Sequence, residues 1–230
     1  MRSRLVLLVG LLFTVLGCGP KPTDYALYLQ HMPRSILVLP PLNESVEVTA
    51  SEAFLSTVTM PLAECGYYVF PVAMVDAILK ENGVPTAYEM HQVSLQKLGE
   101  VFGADAVLYI VINKWTTTYA VVDSSTTVSL EYRLVDTDAG AILWHRIQTV
   151  QVSSSQNQSN ILGMVVAASI RAAMSTSGKL EPEVARYANF QVFNLPSHGL
   201  LRGGLHPNHE KEQLMVKKRQ EKLDGQEPQS

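Results

Sequence analysis

Two unbroken runs of apolar residues constrain the fold of this chain more than any other feature. One lies within Ser35–Pro41 and the other within Ala104–Asn113. Strands of this kind are buried on both faces, as in a parallel sheet with helices on each side, whereas a strand that faces water alternates polar and apolar residues. The runs therefore predict an α/β fold in which Ser35–Pro41 is the first strand and Ala104–Asn113 is the central strand.

Helix signals fill the chain between these strands. Thr49-Ala-Ser-Glu52 has the form of a capping box, and apolar residues then recur at helical spacing up to Cys65. A kink is predicted at Pro61, which lacks a backbone donor. Further elements are predicted as a strand over Tyr67–Val72, a small helix over Ala73–Lys80, a turn capped by Thr86-Ala-Tyr-Glu89, and a helix from Leu95 that ends at Gly103. The first half is thus a parallel β-α-β arrangement.

The second half has the pattern of an antiparallel meander. Val128–Leu134 alternates apolar and polar residues, which is typical of a strand with one face on the core and one toward water. Asp136–Gly140 has turn chemistry, and Ala141–Val152 is the returning strand. A last helix is predicted over Ile161–Ser175. The predicted fold class is α/β, with a mixed sheet of a parallel β-α-β half and a three-strand antiparallel meander, and helices packed on the sheet.

The amino terminus has the pattern of an export signal. Arg2 and Arg4 precede an apolar run, Leu5–Leu16, that is too short to remain as a membrane span. Val15-Leu16-Gly17-Cys18 resembles a lipobox, which implies cleavage after Gly17 and acyl chains on Cys18. We therefore assign residues 1–17 to a signal peptide and 18–33 to a lipidated tether. Gly19 favours the outer membrane, facing the periplasm, by resemblance to known sorting behaviour, and surface exposure stays open.

The mature chain has room for one domain. Removing residues 1–17 leaves 213 residues, with sixteen basic and twenty-one acidic side chains, a formal charge of −5. A mildly acidic chain without a basic stripe is a poor nucleic-acid binder. The domain is predicted over residues 34–195, followed by a loop and a disordered charged tail over 196–230.

The sequence carries no recognisable catalytic, nucleotide-binding or zinc-protease motif, so we expect no enzyme activity, cofactor or metal. Asn43, Glu44 and Ser45 follow the first strand, where open α/β sheets bind ligands, and they form a candidate ligand or partner cleft. The alternative for these residues is an ordinary loop.

An extension of the central strand is the second candidate site. Trp115–Val122 mixes aromatic and apolar residues with threonines, and it predicts a long hairpin tip. Such a tip could pack on the protein's own surface, or it could form a protein-contact ribbon or dimer edge. The candidate contact residues are Trp115, Tyr119, Val121 and Val122.

Three passages together resemble a family of bacterial lipoproteins of unknown function that includes a neisserial surface antigen. They are Ile36–Asn43, Gly103–Tyr109 and Leu134–Trp144. The wider resemblance includes the curli-secretion lipoprotein, the penicillin-binding-protein activator lipoproteins and the amino-terminal domain of the Tol translocation protein. It implies a mixed sheet with helices packed on it, and accessory work in the envelope, often as an oligomer.

These observations favour a non-catalytic, lipid-anchored periplasmic scaffold that binds other envelope proteins in outer-membrane assembly or secretion. Self-association is expected, with a dimer favoured. Two alternatives remain open: an activator of a cell-wall synthase, and an envelope enzyme or small-ligand receptor that uses the cleft after the first strand.

Overall fold

The centre of the molecule is a mixed β-sheet. The structure is a computed structural model and describes residues 23–118, 125–153 and 181–224. The strands are β1 (Ser35–Val38), β2 (Leu42–Asn43), β3 (Tyr68–Val69), β4 (Ala106–Thr118), β5 (Ser125–Asp136) and β6 (Ile142–Ser153). Their order is β3-β1-β4-β5-β6, and β2 also pairs with β4.

Helices pack around this sheet. They are α1 (Ala26–His31), α2 (Ala50–Thr57), α3 (Thr59–Glu64), α4 (Val72–Glu81), α5 (Ala87–Gln92), α6 (Leu95–Phe102), α7 (Glu181–Phe193) and α8 (His209–Asp224). The strands β1, β2, β3 and β4 pair in parallel, while β4, β5 and β6 form an antiparallel meander. The predicted fold class is therefore confirmed.

The two faces of β1 support separate apolar layers. Ile36 and Val38 belong to the larger core, which also contains Phe54 of α2 and Val192 of α7. The intervening Leu37 packs in a second core with side chains of α4, α5 and α6. Burial on both faces accounts for the unbroken apolar run, because successive side chains of a strand point to opposite sides.

Helix α7 is fastened to the meander by a polar contact inside the larger core. The Tyr132 hydroxyl donates to Asn189 Oδ1 at 2.8 Å, and the amide of Asn189 donates to Thr57 Oγ1 at 3.4 Å. Asn189 is fully buried, so these bonds satisfy an amide that would otherwise cost free energy. The Phe193 ring lies 5.4 Å from the Tyr132 ring and adds an edge-to-face contact.

The local helix signals agree with the structure at α5 but not at the start of α2, where the Thr49 hydroxyl donates to Glu47 and caps no backbone N–H. Thr86 and Glu89 form a complete capping box at the start of α5. The predicted helix over residues 49–65 divides into α2 and α3 around Val58. Pro61 then falls in the first turn of α3, where a backbone N–H would have no intrahelical partner.

The segment before the first strand belongs to the fold, which corrects the predicted tether of residues 18–33. Tyr25 and Tyr28 are 3% and 1% exposed and lie in the larger core. Tyr25 and Tyr28 are three residues apart at the start of α1, so their rings lie on the same side of the helix.

The charged carboxyl-terminal segment also differs from the disordered tail predicted over 196–230. Leu200 and Leu201 are core residues, and residues 209–224 form α8 with Val216 buried in the same core. The domain therefore extends past residue 195. Val216 and several polar contacts hold this helix against the domain. A search for periodic apolar residues does not detect a helix that is held mainly by polar contacts.

Several expectations fall outside the described residues: the signal peptide, Cys18, and the helix predicted over Ile161–Ser175. Among residues 23–118, 125–153 and 181–224, no helix is both long and apolar enough to cross a bilayer.

Candidate functional site

A cavity lies at the amino edge of the parallel strands. It has a volume of about 740 Å³ and opens to solvent. The end of α1, the α6–β4 junction and the β5–β6 turn line it, and His209 of α8 completes the wall. Two of the three passages that carry the family resemblance, around Asp105 and Asp136, therefore meet at one cavity.

Asp136 joins two distant parts of the chain at this cavity. Its Oδ2 lies 3.2 Å from His31 Nδ1 at the end of α1. Its Oδ1 accepts the backbone N–H groups of Asp138 and Ala139 at 3.1 and 2.7 Å, which closes the turn between β5 and β6. Both carboxylate oxygens of Asp136 are thus used to hold structure.

Asp105 likewise holds two distant segments together, at the starts of β1 and β4. Its Oδ2 accepts the backbone N–H groups of Arg34 and Ser35 at 2.8 and 2.9 Å, and its own N–H donates to Ser35 Oγ at 3.0 Å. The Thr137 hydroxyl donates to the carbonyl of Ala104 at 2.6 Å. These bonds align the starts of β1 and β4 with the end of β5.

The arrangement suits a structural junction better than an acid–base pair, because hydrogen bonds to the backbone occupy the carboxylates. Within the described ranges, no group of three or more His, Cys, Asp or Glu side chains is placed to hold a metal ion. The sequence pattern predicted a turn at Asp136 but not the contact of its carboxylate with His31. No sequence pattern links a histidine near residue 30 to a turn a hundred residues later.

The candidate cleft at Asn43, Glu44 and Ser45 is an exposed loop held by its own side chains. Asn43 Oδ1 accepts from the backbone N–H and the hydroxyl of Ser45, at 3.0 and 2.7 Å. Asn43 Nδ2 donates to the carbonyl of Glu47 at 2.7 Å. The backbone N–H of Glu44 donates to the carbonyl of Ile112 on β4 at 3.0 Å. Asn43 therefore organises the loop, and ligand binding there stays a prediction.

The candidate contact hairpin is corrected at Trp115. This side chain is 3% exposed and packs edge-to-face on Phe54, with ring centroids 5.8 Å apart. A β-bulge between Ile112 and Lys114 shifts the alternation of β4 by one residue, so Trp115 faces the core in place of Lys114. Trp115 is therefore not a surface anchor. Tyr119, Val121 and Val122 lie outside the described residues.

A third region gathers buried tyrosines where the described chain begins. Tyr67 donates to the carbonyl of Leu201, Tyr28 donates to the Tyr67 hydroxyl, and Tyr25 donates to the carbonyl of Gly199. Burial raises the pKa of Tyr25 to about 12 and also raises the pKa values of Tyr28 and Tyr67. The three hydroxyls stay protonated at neutral pH and fix the loop after α7.

Cys65 lies beside this region and is fully buried. The guanidinium of Arg202 donates to its sulfur at 3.1 Å, and burial raises the pKa of the thiol. Such a thiol is a poor nucleophile, and Cys65 packs in the larger core as a small apolar residue.

The loop after α7 also holds the start of the described chain. Thr23 donates its backbone N–H to the carbonyl of Ser197 at 3.3 Å, and Thr23 Oγ1 lies 3.3 Å from His198 Nδ1. A chain that leaves Cys18 therefore reaches the domain at this loop within five residues.

Comparison with known proteins identifies the class to which this fold and amino-terminal pattern belong, a family of lipoproteins. The family model described as "Putative lipoprotein GNA1162-like" matches residues 23–205, and the chain belongs to this family. Membership indicates an envelope-associated, lipid-anchored protein. Helix α8 lies beyond the matched residues.

Individual relatives agree with this assignment. A Neisseria meningitidis serogroup B protein described as a putative lipoprotein is 39% identical over 181 residues, which is 78% of this chain and 84% of that protein. The crystal structure of lipoprotein GNA1162 from Neisseria meningitidis is 43% identical, with a TM-score of 0.52, and covers 63% of this chain and all of that one. The resemblance stated from three sequence passages is therefore confirmed.

A further solved structure is similar at much lower identity. The LpoB carboxyl-terminal domain from Escherichia coli is 15% identical, covers 61% of this chain and 93% of that domain, and has a TM-score of 0.35.

Proposed function

We propose that this protein is a non-catalytic scaffold of the bacterial envelope, anchored through acyl chains on Cys18 to the outer membrane and facing the periplasm. It binds other envelope proteins and a second copy of itself. The observation that carries this proposal is the long outer edge of β6.

Strand β6 ends the sheet with twelve residues, whereas the opposite end is the two-residue strand β3. In the part of the chain that the structure describes, β6 pairs with β5 on one side and with no strand on the other. Ile142 and Ile147 of this strand are 50% and 57% exposed. A long edge with exposed apolar residues is a surface on which another strand can pair.

Two copies of β6 could pair antiparallel about a twofold axis, which joins the two sheets into one. Natural monomers protect such edges with charges or proline, and lysine is the usual blocking residue. The non-catalytic part of the proposal is supported by Asp105 and Asp136, whose carboxylates are occupied by contacts that hold loops and strands.

Self-association is tested by sedimentation velocity of the purified mature chain. We expect a dimer for the parent and a monomer for Ile147→Lys, because each copy would then carry a lysine on the shared edge, where charge opposes strand pairing. The control is Val101→Lys on α6, where the side chain is similarly exposed at 50%, and it should remain dimeric. A monomeric parent, or equal dissociation of both variants, would contradict the edge interface.

The anchor is tested by metabolic labelling with palmitate. Cys18 and Cys65 are the two cysteines of the chain, so each can be removed separately. Labelling should be lost in Cys18→Ala and kept in Cys65→Ala. Cross-linking in intact cells then tests partner binding, and a parent protein without cross-linked envelope neighbours would count against the scaffold.

A further inference from the structure

Helix α8 is fixed to the domain by one face. Val216 is buried in the core, and Glu212 Oε2 accepts the backbone N–H of Arg202 at 2.5 Å. His209 Nδ1 lies 2.7 Å from the carbonyl oxygen of Arg202. These contacts determine which side of the helix faces outward.

One lateral side of the helix, which adjoins the docked side at Met215 and Arg219, carries a pattern that apolar periodicity did not reveal. Its residues recur at helical spacings of three and four, all are exposed, and all are basic or apolar. We call this the basic stripe, formed by Lys211, Leu214, Met215, Lys218, Arg219 and Lys222. The glutamates of the same helix lie outside this stripe: Glu212 faces the domain, and the exposed Glu210 and Glu221 lie on the opposite side of the helix.

The basic stripe contrasts with the rest of the protein. The mature chain has a formal charge of −5, so its average field repels an anionic surface. Concentrated positive charge on one helix face therefore favours a single orientation of the domain toward such a surface. Leu214 and Met215 are 59% and 54% exposed and interrupt the charges with apolar groups. Exposed basic side chains beside apolar ones can bind anionic lipid headgroups, chiefly through charge.

Chain length places this helix near the proposed anchor. Five peptide units separate Cys18 from Thr23, and they span at most about 18 Å when fully extended. Thr23 contacts Ser197, and Ser197 lines a cavity of about 200 Å³ together with Met215 and Arg219. If Cys18 is held at a bilayer, this end of α8 is close to the lipid surface.

We propose that α8 is a membrane-contact helix that binds the phosphate groups of anionic phospholipids beside the anchor. Lys211, Lys218, Arg219 and Lys222 supply the positive charge, and Leu214 and Met215 enter the headgroup layer. The contact holds the domain in one orientation relative to the bilayer. This inference rests on the proposed lipidation of Cys18 for its position, while the lipid affinity belongs to α8 itself.

The test uses the complete mature chain without acylation, as Cys18→Ser, and vesicles of phosphatidylcholine with or without phosphatidylglycerol. We expect co-sedimentation only with the anionic vesicles, and weaker binding as salt rises because screening shortens the reach of the charges. The triple variant Lys218→Gln, Arg219→Gln, Lys222→Gln should lose about a hundredfold in affinity, from about fivefold for each charge.

A second triple variant controls for total charge. Lys80→Gln, Lys97→Gln, Lys114→Gln removes three exposed positive charges elsewhere on the domain and should retain most of the binding. Equal losses in both triple variants, or no preference for anionic vesicles, would overturn the proposal. In those cases the stripe is a solvated face or a site for an acidic protein.

A fluorescence measurement on the acylated protein separates this proposal from the anchor. An environment-sensitive dye on Met215→Cys should shift to shorter wavelength on anionic vesicles, while the same dye on Tyr88→Cys, an exposed site on α5, should not. The vesicle assay uses a chain without acyl groups. If the parent protein is not labelled by palmitate but the unacylated chain still binds anionic vesicles, the anchor alone is rejected. An unchanged dye signal at position 215 on vesicles that carry the protein would reject the membrane-contact helix alone.

Discussion

The indole nitrogen of Trp144 donates a hydrogen bond to the carbonyl oxygen of His198, 3.0 Å away. This bond ties β6 to the loop after α7, and the neighbouring Ser197 receives the backbone N–H of Thr23. Trp144 ends one of the three passages that carry the family resemblance. It therefore supports the point at which the chain enters the domain from its amino terminus.

Replacing Trp144 tests this support. The side chain is 1% exposed, so Trp144→Phe removes both packing volume and the donor to His198. We expect a loss of about 1–3 kcal/mol in the free energy of unfolding. Urea unfolding followed by circular dichroism measures it. Ile147→Ala, at an exposed position on the same strand, should change stability by no more than about 0.5 kcal/mol, and similar losses in both variants would contradict the assigned role.

Two adjacent glycines offer a matched test of the contact between the loop after α7 and the α3–β3 turn. A Cβ added at Gly203 would lie 2.4 Å from the carbonyl oxygen of Gly66, whereas a Cβ at Gly204 meets nothing within 4 Å. Gly203→Ala should lower stability by about 1–3 kcal/mol because the two backbones must separate. Gly204→Ala should be close to neutral. Thermal unfolding of both variants checks the difference, and equal melting temperatures would show that the close approach does not stabilise the fold.

Substitutions of Asp136 separate its contact with His31 from its hydrogen bonds in the turn. Asp136→Ala removes the acceptor for the N–H groups of Asp138 and Ala139 and the partner of His31, and should cost about 1–3 kcal/mol. Asp136→Asn keeps an oxygen that can accept from the turn, so it should cost less. Denaturant unfolding of the two variants provides the measurement. If the asparagine variant is as unstable as the alanine variant, the contact of Asp136 Oδ2 with His31 is the main contribution.

His91 predicts how stability depends on pH. Burial lowers the pKa of this histidine, although its ring nitrogen lies 2.9 Å from the carbonyl oxygen of Pro40, a contact that acts in the opposite direction. Below the unfolded pKa of about 6.5, the unfolded chain takes up a proton that the folded chain resists, so stability falls as pH decreases from that value.

Unfolding free energies between neutral pH and pH values below the unfolded pKa of the histidine test this effect. The parent should lose stability on acidification, and His91→Gln should show a smaller dependence because the buried titrating group is gone. An identical pH dependence in the two proteins would assign the effect to other groups.

Much of the local structure could be predicted because its causes lie within a few residues. The capping box at Thr86 and Glu89, the division of the helix near Pro61 and the alternation along β5 depend on neighbouring side chains and backbone donors. The apolar runs of β1 and β4 also predicted a sheet covered on both faces, because a strand without alternation has no side to present to water.

The sequence by itself determined the order and type of these elements, the export signal pattern and the family. Only the tertiary structure decided that a bulge turns Trp115 inward, that His31 meets Asp136, and that α8 docks through Val216. These outcomes depend on contacts between residues far apart in the chain. A local pattern records which side of an element is apolar, but it does not record which distant backbone or side chain will cover that side.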